Sequence, residues 1–504
     1  MTEIYSARWV LPISSPPIED GAIAFDGSRI IGVGHRRNLG KQFSGARVSD
    51  FGEAAILPGL VNAHSHLELT VMRGFLEREE HDFSAWLRKL TLARMAMSPE
   101  DLLVSAMCGA VEAVRAGVTC FGDASSSALS AMKALRAIGL RGIVYQESFG
   151  PDPANAKDNV EKLVAQFAEL RDHETESVRV GVSPHASYTV SAPQLELISR
   201  LALEEKLPVM MHAAESRAEE LFMRDGSGPF AAGLKGRGID WQAPGVSTVE
   251  YLGRHGILQT RPLLAHCITV DDADVQTIKD SGASIAHCPR SNAKLGHGRA
   301  PFISFVAAGV NVGLGSDSVA SNNTCDILEE ARFATLLARL PSGSDDPFSS
   351  GLPPAGDRGS TPRISKGVLS APAVAGGLAS SLRFSEGLSS RKATRANDLV
   401  TAEQALFAAT LGGARALGLD NQIGALAEGM QADLAVIRLD GIHQQPLRDP
   451  ADTLVFSSSG RDVMLTMVAG KEVYRNRQVV TVDEGELGSR LEEIRDRLDS
   501  TPIS

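Results

Sequence analysis

Paired cysteines are missing from this sequence. Its five cysteines, Cys108, Cys120, Cys267, Cys288 and Cys325, are scattered and never stand as C-x-x-C. That argues against a disulfide framework and against a cysteine zinc finger. An excess of basic charge is missing too. The 504 residues carry 61 acidic and 50 basic side chains, a net charge of -11. A nucleic-acid binder would need a basic stripe, so no nucleic-acid partner is expected. No run of 18 or more apolar residues occurs, which predicts no membrane span. The start, "MTEIYSARWVLPISSPPIEDG", has no basic region, long apolar core or small-residue cleavage site. The expectation is a reduced, cytoplasmic enzyme with no membrane partner, a homo-oligomer being left open. The chain also lacks H-E-x-x-H, a P-loop, G-x-G-x-x-G and the H-x-E with P-C-x-x-C zinc signature.

What is present is a large apolar fraction, 43%, enough for a sizeable core. The first 55 residues and residues 424–475 read as short strands and turns, for example "GAIAFDGSRIIGVG" and "GALAEGMQADLAVIRL". The two ends can pair into one small β domain. Between them, eight apolar runs alternate with helix-like stretches. They are "AAILPGLVNAHSH", "GVTCFGDAS", "RGIVYQES", "VRVGVSPHA", "LPVMMHAAE", "RPLLAHC", "ASIAHCPRSN" and "VNVGLGSDS". Helix starts are marked by Ser98 before Pro99, and by Thr401 with Gln404 at capping-box spacing. Eight βα units predict an α/β chain folded as a (β/α)₈ TIM barrel, with catalytic residues at the C-terminal strand ends. The expected domains are 1–56 as the N-terminal part of a β-sandwich and 57–423 as the barrel. Residues 424–504 complete the sandwich and add a terminal helix. Residues 341–397, rich in Ser, Gly and Pro, read as a flexible insertion, with an active-site lid as the functional alternative.

The strand ends carry the chemistry. "NAHSHLEL" places His64, His66 and Glu68 at alternate positions, on one face if the chain is extended. A catalytic zinc-like ion takes three or four N/O ligands and keeps a position for water. His64 and His66, with His212 and Asp317 from later strand ends, make such a set. Glu215, three residues beyond His212, is placed to act as a base and then return the proton. A surface glutamate is its bland alternative. His266 can hydrogen-bond the water; its alternative is a core histidine. His287 reads as pocket wall or as a residue behind it. A nucleophilic role for Cys288 is weak. The fourth strand end, "VRVGVSPH", carries no lysine or acid, which favours one metal over two. Glu68 reads as a pocket residue hydrogen-bonding the substrate, the alternative being a carboxylate that orients a ligand histidine.

These stretches, with "RGFLEREEHDFSAWL", "VSPHASYTVS", "HCPRSNAKLGHGRAPF" and "VGLGSDSVASNN", carry a resemblance. The chain resembles the amidohydrolase superfamily, in the branch of cytosine, guanine and adenosine-type deaminases, S-adenosylhomocysteine/methylthioadenosine and aminofutalosine deaminases, and triazine chlorohydrolases. The resemblance spans nearly the whole chain. It implies a (β/α)₈ barrel beside a β-sandwich, with one divalent metal, Zn²⁺ or Fe²⁺, on His64, His66, His212 and Asp317. It further implies Glu215, His266 and Asp317 as catalytic groups, with Glu215 as proton shuttle. His185 is implied at a substrate-contacting position, and Asn292 in a loop lining the pocket. The expected activity is hydrolytic deamination of an aminated heterocycle, most specifically the adenine of a modified nucleoside, aminofutalosine-like or adenosylhomocysteine-like. A guanine or cytosine deaminase or a triazine-type chlorohydrolase is the alternative within the class. A non-catalytic amidohydrolase-like scaffold is the alternative outside it. One departure stands out. The ribose-binding glutamate expected shortly after a "W-L" stretch is absent here: no acid follows Trp86 and Leu87 until Glu100.

Overall fold

The computed structural model describes residues 1–340 and 399–501. The expected insertion, 341–397, lies outside the described residues.

Both ends of the chain meet in one sheet. Among the described residues it has nine strands. The connection is made by Ala54–Pro58, which pairs in parallel with Thr2–Val10 and antiparallel with Leu434–Arg438. Ile56 is thus flanked by Val10 and Val436, and all three are fully buried. The run "AAILPGLVNAHSH", expected as one strand, is therefore two. Pro58 removes a ladder donor. Gly59 then lets the chain pass against the next strand, where an added Cβ would lie 2.1 Å from Thr119 Oγ1. The break between end-formed sheet and central strands falls at Gly59, so strand Ala54–Pro58 runs across the expected boundary after residue 56.

The central strands form two parallel sheets of four. The first orders Leu60–Ser65, Val118–Ser125, Arg141–Ser148 and Val178–Pro184. The second orders Met210–Ala213, Leu263–His266, Ser284–His287 and Asn311–Leu314. These are the eight apolar runs, each followed by helix, as the alternating pattern predicts. Backbone bonds join the sheet edges. Val182 N–H donates to Pro208 O at 2.9 Å and Asp317 N–H to His64 O at 2.9 Å, with parallel bridges Val182↔Val209 and Ser65↔Asp317.

Helix boundaries follow their caps. Ser98 and Asp101 form a reciprocal capping box on helix Pro99–Arg115, and Thr401 and Gln404 do so on Ala402–Phe407. The terminal helix is Glu484–Ser500. A buried ion pair ties the end-formed sheet to the third central strand. Arg141 holds Asp433 at 3.0 and 3.3 Å, and Asp433 also accepts Ala469 N–H at 2.7 Å. The extra backbone bond satisfies a carboxylate that would otherwise be costly to bury.

Candidate metal centre and active site

The C-terminal ends of the central strands converge on four side chains. His64 lies at the end of the first strand and His66 just past it, His212 lies in the fifth, and Asp317 follows the eighth. One ligand atom from each lies within 4.8 Å of the others. His66 Nε2 is 3.2 Å from His212 Nε2, and Asp317 Oδ1 is 3.4 Å from both His64 Nε2 and His66 Nε2. A tetrahedral ion with bonds of about 2.0–2.1 Å holds its ligand atoms about 3.3 Å apart. Protonation agrees. His212 Nδ1 faces His185 O at 3.1 Å, so it carries the proton and leaves Nε2 with a lone pair. His64 Nδ1 faces Met210 Sδ at 3.1 Å, while its Nε2 is buried without a hydrogen-bond partner. Burial drives the His64 and His66 imidazoles below their ordinary value. Neutral rings are what a metal needs. The residues present fit a divalent cation.

Neighbours hold these groups. Asp317 Oδ2 accepts from Ser291 Oγ at 2.5 Å and Ser321 Oγ at 3.0 Å, leaving Oδ1 toward the histidines. Asp123, buried at the second strand end, accepts from Ser65 Oγ and Leu67 N–H, both at 2.8 Å. It thereby holds the residues on either side of His66, Ser65 by its hydroxyl and Leu67 by its backbone. Asp317 and His266 adopt φ of +58° and +74°. Such left-handed backbone in non-glycine residues is sustained only by surrounding contacts and concentrates at functional sites.

Glu215 lies next to this cluster. Its Oε1 is 3.7 Å from His266 Nε2 and 3.8 Å from His297 Nε2, and its Oε2 accepts from Tyr188 at 3.3 Å. Burial pushes its carboxyl up to about 8, against the pull of His212. His266 Nδ1 is 2.8 Å from Asn292 Oδ1. A cavity of about 410 Å³ opens over the cluster, with His66, His212, Glu215 and Asp317 in its lining. One face of helix Phe83–Met95 covers it: Phe83, Trp86, Leu87, Leu90, Thr91 and Arg94 recur at three- and four-residue steps.

The other expected residues divide. His185 lines the cavity and bonds Thr189 Oγ1 at 2.8 Å. Asn292 is buried behind His266 and is not part of the lining. His287 is buried against Phe302, ring centres 5.2 Å apart, and likewise does not line the cavity. Glu68 lines the cavity, but the chain is not extended there. Leu67–Met72 is a 3₁₀ turn, and both Glu68 oxygens accept backbone N–H groups, Ser126 at 3.0 Å and Ser127 at 2.9 Å. Sequence reasoning missed Glu147, His297, Tyr188, Ser291 and Asp123. Glu147 had a signal, as the one acid ending the third apolar run, "RGIVYQES".

A fold of this kind with such a cluster is that of a metal-dependent hydrolase, and the family and relatives that follow make it one acting on C–N bonds other than peptide bonds. The chain belongs to the amidohydrolase family, whose model matches residues 55–351 and 369–473. It is 30% identical to a 5-methylthioadenosine/S-adenosylhomocysteine deaminase of Nitratidesulfovibrio vulgaris, covering 95% of this chain and 93% of that one. Identity is 29% to the deaminase of the same name from Halobacterium salinarum, over 93% and 91%. Among solved structures it superposes on a zinc-bound adenosine deaminase of Xanthomonas campestris, TM-score 0.76, 24% identity, covering 99% and 98%. It also superposes on the zinc complex of atrazine chlorohydrolase from Arthrobacter aurescens, TM-score 0.76, 21% identity, covering 98% and 99%. The family is that of the expected resemblance. Among the described residues no helix is long and apolar enough to cross a membrane.

Proposed function

We propose that this enzyme deaminates the adenine ring of a modified nucleoside, and that His64, His66, His212 and Asp317 hold one divalent metal, Zn²⁺ or Fe²⁺. The observation that carries this reading is the buried Glu215 carboxyl beside a metal-competent cluster on the floor of one cavity. A divalent ion bound there would supply Lewis acidity, lowering the pKa of water to near neutrality. The chain's own groups do the rest. Glu215 Oε1 takes a proton from the attacking water and passes one to the ring nitrogen next to the amino-bearing carbon. The water oxygen bonds that carbon, its remaining proton passes by way of Glu215 to the amino nitrogen, the C–N bond breaks, and ammonia leaves. Burial raises the proton affinity of Glu215, its carboxyl pushed up to about 8, which suits a group that takes a proton from water and returns it. Asn292 holds the Nδ1 proton of His266, leaving Nε2 as an acceptor facing Glu215 and the reacting water.

Support for a nucleoside comes from the relatives, named for adenosine derivatives; the cavity, about 410 Å³, is within the range of small-molecule sites. The substituent in an adenosylhomocysteine-like or aminofutalosine-like molecule would lie along the face Phe83, Leu87 and Leu90. In this reading His185 touches the substrate, and Glu68 supports the cavity wall through Ser126 and Ser127. The two parallel sheets would be halves of one closed (β/α)₈ barrel starting at Leu60, beside a small β domain built from both chain ends. The bridges at Ser65↔Asp317 and Val182↔Val209 support that closure. The test is ammonia release from metal-loaded protein offered adenosine, 5-methylthioadenosine, S-adenosylhomocysteine, aminofutalosine, guanine and cytosine. Release from the adenine nucleosides is expected. Release from guanine or cytosine alone would overturn the reading.

A further inference from the structure

Four carboxylates line the cavity, and three of them already have a part in the proposed metal centre or proton path, or a donor on each oxygen. Asp317 faces His64 and His66 with Oδ1 and takes two serine hydroxyls on Oδ2. Glu215 sits among His266, His297 and Tyr188. Glu68 has a backbone N–H on each oxygen. Glu147 differs. It ends the third central strand and is only 8% exposed. Its Oε2 accepts from Ser126 Oγ at 2.7 Å. Its Oε1 makes no hydrogen bond among the described residues, and the His66 ring stands off it, Nδ1 at 3.9 Å. That oxygen faces the cavity, open to a donor from whatever the cavity holds.

Arg94 is in the same position with opposite chemistry. It is half-buried and lines the cavity, and its guanidinium makes no hydrogen bond or ion pair among the described residues. Its charge acts on both Glu68 and Glu147. A carboxylate only accepts and a guanidinium only donates. A hydroxyl does both, so an acceptor and a donor facing one cavity match hydroxyls better than a ring N–H, which only donates. The chain has no acid after Trp86 and Leu87 until Glu100, so that segment offers no carboxylate to a sugar.

We propose that Glu147, with Arg94 beside it, binds the sugar hydroxyls of the substrate and sets the preference for a nucleoside over its deoxygenated analogue. The inference rests on the nucleoside reading above.

The experiment compares kcat/KM for adenosine and 2′,3′-dideoxyadenosine in metal-loaded wild type, Glu147→Gln, Glu147→Ala and Glu147→Asp, with metal content measured for each. Wild type is expected to favour adenosine on the order of 10- to 100-fold, as for a buried group left unpaired by the analogue. In Glu147→Gln and Glu147→Ala the ratio should collapse toward one, the loss falling on adenosine. Glu147→Asp, which keeps the carboxylate, should retain part of it. Full discrimination in the Gln and Ala variants would overturn the inference and leave deamination intact. So would loss of a metal equivalent, which would make Glu147 a ligand together with His185 and His212. Absence of ammonia release from every nucleoside by wild type would sink the deaminase reading, and this inference with it.

Discussion

Ser291 Oγ lies 2.5 Å from Asp317 Oδ2, although the two residues follow different strands, the seventh and the eighth. With Ser321 at 3.0 Å it takes up one carboxylate oxygen and turns the other toward His64 and His66. Outer groups of this kind typically account for 10- to 100-fold in metal affinity or activity. Ser291→Ala should therefore weaken metal retention by about 10-fold while the apo protein stays folded. Competition with a chelator of known affinity measures this. An unchanged affinity would mean that Ser321 suffices.

Glu215→Gln should keep the metal and lose turnover. The amide preserves size and can still meet Tyr188, but it carries no transferable proton. The expected fall in kcat is roughly 10²- to 10⁴-fold, the usual range for a general acid–base group. Metal analysis and steady-state rates on the same preparation check it. Activity near wild type would remove Glu215 from the proton path.

The sequence shows most of this architecture because each central strand is an apolar run bounded by turn residues, and its reactive residue stands at the C-terminal edge. His212 and Asp317 are legible for that reason. The break at Pro58–Gly59 is not, since both halves of "AAILPGLVNAHSH" are equally apolar and only the close approach to Thr119 separates them. Period-two spacing put Glu68 on the histidine face, but a 3₁₀ turn begins at Leu67 and ends the alternation. Asp123 and Ser291 act through contacts between strands distant in sequence. No local pattern encodes such contacts.

Glu68→Gln tests what that carboxylate does. Each oxygen now accepts one backbone N–H, from Ser126 and from Ser127. An amide would turn an NH₂ group toward one of those donors. The expected cost is about 1–3 kcal/mol of stability, the penalty for a buried donor left unpaired, with metal content unchanged. Denaturant unfolding with metal analysis reads both. Metal loss at unchanged stability would instead make Glu68 part of the metal site.

Glu330 gives the chain a pH-dependent stability separate from the metal centre. It is fully buried in helix Ile327–Ala338, where it accepts Asn322 Nδ2 at 2.7 Å and Arg290 N–H at 3.3 Å. Burial pushes its carboxyl up to about 8 despite those bonds and the Arg290 charge. The folded chain therefore holds this proton at pH values where the unfolded chain, with an ordinary glutamate near 4.3, has released it. Its contribution is complete below the unfolded value and is lost as pH rises toward about 8. Over that window one proton corresponds to a slope approaching about 1.4 kcal/mol per pH unit. Glu330→Gln keeps the shape and cannot ionise. Compared with wild type, its unfolding free energy should decline less between pH 5 and pH 8, a window bounded by these two values. Parallel pH profiles for the two proteins would show that Glu330 is ionised in the folded state.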